Sequence, residues 1–502
     1  MDDILKLLFV AVLLWNVEGR EQSSAENTAQ MKQRNISPIR IGIIGGGIGG
    51  CAASWFLREA LDEQAEIVLF EKDKIGGRVA TVNIAGREYE AGASVFHEKN
   101  MILQEFLKEF GLESLTEDDS DITVISKGSE VLFKTTGWTI ADIAKSVWRY
   151  GLSPLKLGPW VDDYLTRFGK IYPLQARNCS YLRPTDLILA ADEKFGEMLQ
   201  TPLRDRMLSE GFAENFVDEI AAAAMRVNYN QRTSVPAFVG SVSLAGMKGP
   251  LHSVKGGNYQ VAVRACQSAS DVVLSSITTI ESLPDGRFRL HTSTGGLEDF
   301  DYVILAAPLR KDGAGSRGNI VAFDGFPSFF KPTEWIGAYQ RTVATFVEGE
   351  LNRTFFGSST SLDAVFNIED NGSWSSIGRQ HDVLGDSSTS SGFPVWKIFS
   401  TDPLPGELIS EMFLRTITTS TTQVDWRAYP NYGEPPLHPP PFSLYGNNLI
   451  YLNAVEWAGS AMEMSLIAAK NAALAIVNDV MGVDPESCGV TAPSVVKDGQ
   501  EL

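Results

Sequence analysis

The chain is poor in the residues that bind metals and shuttle protons: five histidines and four cysteines in 502 residues. Cys51, Cys179, Cys266 and Cys488 stand far apart, with no C-x-x-C pair and no Cys/His cluster at ligand spacing, so no zinc or other metal site is expected. Basic residues are also in deficit. Lys and Arg number 43 against 62 Asp and Glu, a net charge of -19 that excludes a nucleic-acid-binding surface and favours solubility. No Ser/His/Asp constellation and no internal repeat is apparent. With 44% hydrophobic and 21% charged residues, the composition is that of a globular protein long enough for two packed domains.

Long hydrophobic runs are missing too. The N-terminal "MDDILKLLFVAVLLWNVEGREQSS" has an apolar core only from Leu7 to Trp15, shorter than the roughly 20 residues a bilayer span needs. It reads as a signal peptide over residues 1–19, cut near Arg20, followed by a polar linker over 20–37. No transmembrane span is expected, and peripheral contact with a membrane stays open. Sequons at Asn35, Asn178, Asn352 and Asn371 suit a glycosylated protein of the secretory pathway, where an oxidising lumen permits disulfides.

What the sequence does contain is glycine in one place. "RIGIIGGGIGGCAASWFLREA" puts five glycines among six residues after an isoleucine-rich strand and before a helical pattern. Gly45-x-Gly47-x-x-Gly50 is the dinucleotide fingerprint: Gly45 for the turn, Gly47 for close approach of a pyrophosphate, Gly50 for helix-strand packing. A second strand, "AEIVLFEK", ends in Glu71, an acid about 20 residues beyond the glycines, as a ribose hydroxyl pair requires. NAD and FAD share this half. "KIGGRVAT" then offers a second glycine pair, Gly76 and Gly77, with Arg78 able to pair with a phosphate. "AGASVFHEKN" supplies a small-residue turn at Ala93 and Ser94, fit to lie under a flat ring.

Further along, "GGNYQVAVRACQSA" predicts a glycine turn into a helix, "DVVLSSITTIES", "RFRLHTSTGG" and "FDYVILAAP" predict strands, and "NNLIYLNAVEW" predicts a last strand. The long helix "SAMEMSLIAAKNAALAIVNDV" opens with Ser460-x-x-Glu463, the spacing of a capping box. Its N-terminus would stabilise negative charge on a reduced flavin ring. "SWSSIGRQHDVLGDSSTSSG" and "YPNYGEPPLHPPPFSLYGN" read as loops. The fold class is α/β: a discontinuous Rossmann-like domain over 38–112, 250–310 and 445–485, an inserted α+β substrate domain over 113–249 and 311–444, and a tail over 486–502.

Taken together, these motifs resemble the amine-oxidase-type FAD flavoproteins. "AGASVFHEKN", "RVNYNQ", "SVKGGNYQV" and "SAMEMS" are more closely similar to the prenylcysteine oxidase, or farnesylcysteine lyase, family. The resemblance implies FAD, with its phosphates at Gly45, Gly47 and Gly50, its ribose at Glu71 and its pyrophosphate or flavin side at Gly76, Gly77 and Arg78. It puts adenine at the Ile277 backbone, and the isoalloxazine beside Ala93, Ser94, Glu456, Met462 and Glu463. Val455 and Asn230 depart from the family pattern, which has glycine at both positions.

The implied reaction takes a hydride from the carbon next to sulfur in a prenylcysteine to flavin N5. Water and O2 then lead to cysteine, a prenyl aldehyde and H2O2, in a lysosome- or vacuole-like compartment. Such a step needs positioning and a dry apolar slot more than a strong base, so no catalytic acid or base is assigned, and His97 and His252 read as structural. Aromatics over 146–172, namely Trp148, Tyr150, Trp160, Tyr164 and Phe168, are candidates for the slot. Noncovalent FAD is expected, since no flavin-attachment sequence is apparent. Other readings of the same architecture are an amine, polyamine or porphyrinogen oxidase, and a flavin-free prenyl-group binder of the GDP-dissociation-inhibitor type.

Overall fold

The computed structural model describes residues 38–483, apart from 117–121, 312–320, 336, 387–388, 390, 418–420 and 436–437. The expected signal peptide, linker, Asn35, Cys488 and tail lie outside the described residues.

Six strands make the central sheet: β1 (Ile39–Ile44), β2 (Ala65–Glu71), β3 (Asp271–Leu274), β4 (Tyr302–Leu305), β5 (Ser443–Tyr445) and β6 (Leu449–Tyr451), in the order β3-β2-β1-β4-β6-β5. All pair in parallel except β5 with β6. A parallel sheet is covered on both faces, which is why β1, β2 and β4 read as nearly unbroken Ile, Val, Leu and Phe. Helix α1 (Ile48–Leu61), helix α2 (Met101–Glu109) and helix α3 (Met462–Met481) belong to this layer. Ala472, Ala473 and Ala469 of α3 are buried and let it lie close to α1. By length and composition α3 could span a bilayer, yet most of it is inside the protein.

A meander of Ile277–Ser282, Phe288–Thr292 and Leu297–Phe300 covers part of this layer, and Ala322–Asp324 joins it in parallel with Ile277–Ser282. That last strand falls in the stretch expected to belong to the substrate domain. It is drawn back because its Phe323 packs on the aromatic cluster of Phe326 and Phe330 beside the meander. The inserted layer is a second, mostly antiparallel sheet built on the long strand Gly337–Leu351. Helices between residues 139 and 245 pack on it. Ser376–Gln380 is one of its strands, although the Ser/Gly-rich sequence around it reads as a loop; pairing with Val395–Ser400 buries Ser376 and Ile377. The second expected loop likewise contains β5.

Cys51 in the first turn of α1 is disulfide-bonded to Cys266, which ends the helix Tyr259–Cys266, across 215 residues of sequence. Cys179 is free and buried. Cross-linking so long a loop stabilises by up to about 5 kcal/mol through the unfolded state. The double substitution Cys51→Ala/Cys266→Ala is expected to lower the unfolding free energy by about 3–5 kcal/mol, read as a fall in urea midpoint; an unchanged midpoint would mean the bond does not form.

Candidate active site

The turn from β1 to α1 is held from below. Gly45 has φ +113°, and its N–H donates to Phe70 O at 2.8 Å. A Cβ there would meet Ala306 O at 2.7 Å, and one at Gly50 would overlap the Gly45 carbonyl. Both glycines are therefore required by packing, and Gly50 does not reach the cavity. Gly47 is different: a Cβ on it would meet no protein atom within 4 Å, because it faces open cavity. A residue kept small by nothing in the protein itself is kept small for what lies against it, and a pyrophosphate at the N-terminus of α1 fits.

The Gly76–Gly77 turn, at φ +121° and +59°, closes on this loop. Gly76 N–H donates to Gly46 O at 2.8 Å, and Gly77 stacks on Gly47. Glu71, buried at the end of β2, accepts from Gly46 N–H at 2.7 Å and from Asp73 N–H at 3.0 Å, one on each oxygen. An ionised carboxylate has about four acceptor sites, so each oxygen keeps one free for a ribose hydroxyl. Ile277 lines the same end of the cavity.

Arg78, expected at the pyrophosphate or the flavin side, lines the cavity but has its guanidinium engaged by protein groups. Its guanidinium forms a two-pronged ion pair with Glu456 and donates to Ala428 O at 2.6 Å. Burial opposes the charge on Arg78, but the Glu456 carboxylate outweighs it and holds the guanidinium more firmly protonated than a free arginine. Glu456 is 1% exposed and also accepts from Tyr339 OH at 2.9 Å and from Asn453 Nδ2 at 2.5 Å. It lies behind the cavity wall, on the 3₁₀ turn Leu452–Trp457 that follows β6. The residues of this turn that line the cavity are Leu452 and Asn453, and Asn453 Oδ1 is buried without a hydrogen-bond partner. A buried orphan acceptor on a cavity-lining residue calls for a donor, and a cofactor sugar-alcohol hydroxyl would serve. Nothing in the sequence marks Asn453 beyond its place at the end of a predicted strand.

Ala93 and Ser94 line the cavity on a turn tied by Ala93 N–H to Arg78 O at 3.1 Å. Asn258 Nδ2 donates to both their carbonyls, at 3.0 and 2.8 Å, and the buried Lys397 Nζ donates to Ser94 Oγ at 2.8 Å. Asn258 and Lys397 were missed because they come to this turn from 164 and 303 residues away.

Met462 and Glu463 line the cavity at the start of α3. The capping box does not form: Ala461 is the N-cap and no side chain caps the helix. Glu463 instead caps α2, accepting from Ile102 and Leu103 N–H at 2.8 and 3.1 Å and from Tyr172 OH at 2.9 Å. Its carboxyl is 2% exposed, and burial pushes it up to about 7 against the pull of those donors.

His97 reaches the cavity wall, but Nε2 contacts Lys248 O at 2.6 Å and Nδ1 accepts from Lys99 N–H at 3.0 Å, so both ring nitrogens serve the backbone. His252 does not line the cavity. Asn230, at φ +48°, adopts the left-handed conformation that ends the helix Ala222–Tyr229, so asparagine meets the need for which glycine was expected. Val455 is fully buried. Asn178 and Asn371 are exposed, and Asn352 is partly covered, with Nδ2 donating to Glu411 O at 2.8 Å.

One cavity of about 1850 Å³ joins all of this to an apolar chamber walled by Phe133, Tyr164, Leu165, Phe168, Ala224 and Tyr229. That exceeds the roughly 300–1,000 Å³ typical of a single small ligand, leaving room for a dinucleotide and a second molecule. Of the five candidate slot aromatics only Tyr164 and Phe168 line it; Tyr150 is core, Trp160 is half-buried against Phe212, and Trp148 is exposed. The Tyr164 hydroxyl is buried without a partner, a lone polar atom in the apolar wall.

Solved structures share the architecture. Cyclohexylamine oxidase from Brevibacterium oxydans superposes with a TM-score of 0.58 at 16% identity, covering 89% of this chain and all of that one. Putrescine oxidase gives 0.56 at 13% with the same coverage. A family model for an NAD(P)-binding Rossmann-like domain matches residues 43–110, the glycine loop and its neighbours. Sequence relatives are nearer: prenylcysteine oxidase 1 of Homo sapiens is 36% identical over 461 residues, and that of Mus musculus 35% over 459, each covering 87% of this chain and 88% of the relative. The prenylcysteine oxidase 1-like protein of Bos taurus is 30% identical over 461 residues. A prenylcysteine lyase family model matches residues 133–485, which contain the apolar chamber, Asn453 and Glu463. By that match and by those relatives, the chain belongs to the prenylcysteine lyase family.

Proposed function

We propose that this chain is an FAD-dependent oxidase that cleaves prenylcysteine: prenylcysteine, O2 and water give cysteine, a prenyl aldehyde and H2O2. The observation that carries the reading is the single cavity in which a dinucleotide cradle opens into an apolar chamber with one orphan hydroxyl, alongside relatives named for this substrate. Bound FAD supplies a two-electron acceptor that dioxygen reoxidises.

The chain's own residues bind, orient and exclude. Gly47 and the N-terminal N–H groups of α1 receive the pyrophosphate, Glu71 the ribose, and Asn453 a hydroxyl of the linking chain. The turn Ala93–Ser94, fixed by Asn258 and Lys397, sets a flat floor for the ring. Phe168, Leu165 and Ala224 take the isoprenoid chain and keep water from it, and the Tyr164 hydroxyl marks a point where a polar substrate atom is tolerated. We further propose a secretory-pathway location ending in a lysosome or vacuole, which the N-terminal apolar run, the sequons and the Cys51–Cys266 bond support.

The test is the visible spectrum of the purified protein with farnesylcysteine under exclusion of oxygen. Loss of the oxidised-flavin absorbance with release of free cysteine, and recovery with peroxide when air is admitted, is expected. A flavin that ignores farnesylcysteine and bleaches with amines would replace this reading with an amine oxidase; a colourless protein would point to a prenyl-group binder.

A further inference from the structure

The helices Thr139–Tyr150 and Ser153–Phe168 turn apolar side chains toward solvent. On the first, Ile140, Ile143, Ala144, Val147 and Trp148 fall on one face, the stripe that a helix of a soluble domain ordinarily buries. Here only Tyr150 is buried, while Ile140 is 83% and Trp148 88% exposed. Trp138 just before it is 77% exposed, and Leu152 and Leu155 extend the patch onto the second helix. Together they expose on the order of several hundred Å² of contiguous apolar surface, more than an unpartnered surface usually carries.

We propose that this face docks on an anionic lipid surface. Charge argues for it. Residues 138–160 hold three cations, Lys145, Arg149 and Lys156, and one carboxylate, Asp142, in a chain whose net charge is -19. Lys145 and Lys156 donate to the carbonyls of Lys134 and Gly211 rather than to carboxylates, and Asp142 is held by Thr136. Arg149 pairs with Glu219. Cations rimming a tryptophan-bearing apolar face match an anionic headgroup layer. Isologous pairing of two copies through this face would bring the same lysines together.

The patch also leads to the chamber. The helix that begins just after Leu152 and carries Leu155 outside puts Tyr164, Leu165 and Phe168 into the cavity wall. Beside it, Met247 is both exposed and a cavity residue, and the neighbouring Lys248 bonds to Gly158 O and Asp162 of the same helix. An apolar substrate could thus pass from lipid to chamber without crossing water. Docking rests on the surface alone, and only this entry route rests on the prenylcysteine reading.

Flotation of the full chain with vesicles of phosphatidylcholine and phosphatidylserine, against phosphatidylcholine alone, tests it, alongside the triple variant Ile140→Ser/Trp148→Ser/Leu152→Ser. The wild type is expected to float with the mixed vesicles, with tryptophan emission shifted to the blue. The variant should lose at least about tenfold in partitioning while keeping its melting temperature and its turnover of detergent-dispersed farnesylcysteine. Equal flotation of variant and wild type overturns the proposal. So does a wild type that ignores both vesicles, and one that instead dimerises in a way the variant abolishes assigns the face to a second copy. Failure of the enzymatic reading would show as absent turnover in both proteins and would leave flotation unchanged.

Discussion

Glu456→Gln is expected to destabilise the folded protein by about 3 kcal/mol, the lower end of the range for breaking a buried ion pair. The substitution keeps volume and hydrogen-bonding atoms but leaves the Arg78 guanidinium without its counter-charge. The lower end applies because the Arg78 side chain is 30% exposed, so solvent screens part of the loss, whereas Glu456 is only 1% exposed. Burial pushes Tyr339 well above its ordinary range, so it stays a hydroxyl donor to Glu456 and offers no compensating charge. The fall should appear as a lower urea midpoint at unchanged m. The double variant Arg78→Met/Glu456→Gln should recover much of it, because no buried charge remains. If the single variant is as stable as the wild type, the pair does not form, and Arg78 is free for a phosphate.

Gly47→Val and Gly50→Ala should separate two uses of glycine in one loop. A Cβ at Gly47 meets no protein atom within 4 Å, and its φ of -74° suits any residue. Gly47→Val should therefore leave thermal unfolding of the cofactor-free protein nearly unchanged. It should weaken FAD binding by about 10- to 100-fold, as expected for losing one phosphate hydrogen bond of about 1.5–3 kcal/mol. Gly50→Ala forces a Cβ onto the Gly45 carbonyl, where neither backbone can yield without opening α1 from the sheet. Loss of stability should come first there, with FAD loss following it. Flavin fluorescence titration and thermal melts on the same samples distinguish the two, and a Gly47→Val protein that binds FAD normally would remove the pyrophosphate from this loop.

What could be read from the sequence was mostly local. Gly45 to Gly50, the acid at Glu71 and the Gly76–Gly77 turn are contiguous motifs whose chemistry follows from backbone conformation and spacing, and Gly45, Gly47, Glu71, Gly76 and Gly77 all line the cavity. Glu456 and Glu463 were legible as important acids, but their protein partners were not: Glu456 pairs with Arg78, and Glu463 caps α2 instead of closing a capping box on α3. A carboxylate's partner depends on which donor the fold brings within 3 Å, and these come from 378 and 361 residues away. Aromatic content likewise marked the region 146–172 but could not say which rings face the chamber.

By itself, the sequence determined that a parallel strand begins at Ile39 and that a glycine turn leads from it into α1, the pattern of a dinucleotide-binding loop. These are consequences of glycine's conformational freedom and of hydrophobic period, both properties of short segments. Tertiary structure alone decided that Cys51 joins Cys266, that Asn453 rather than Glu456 lines the cavity, and that the apolar face with Trp148 is left to solvent. Pairing between distant residues, and the choice of which apolar face is buried, depend on how the layers meet, and no short stretch of sequence encodes that.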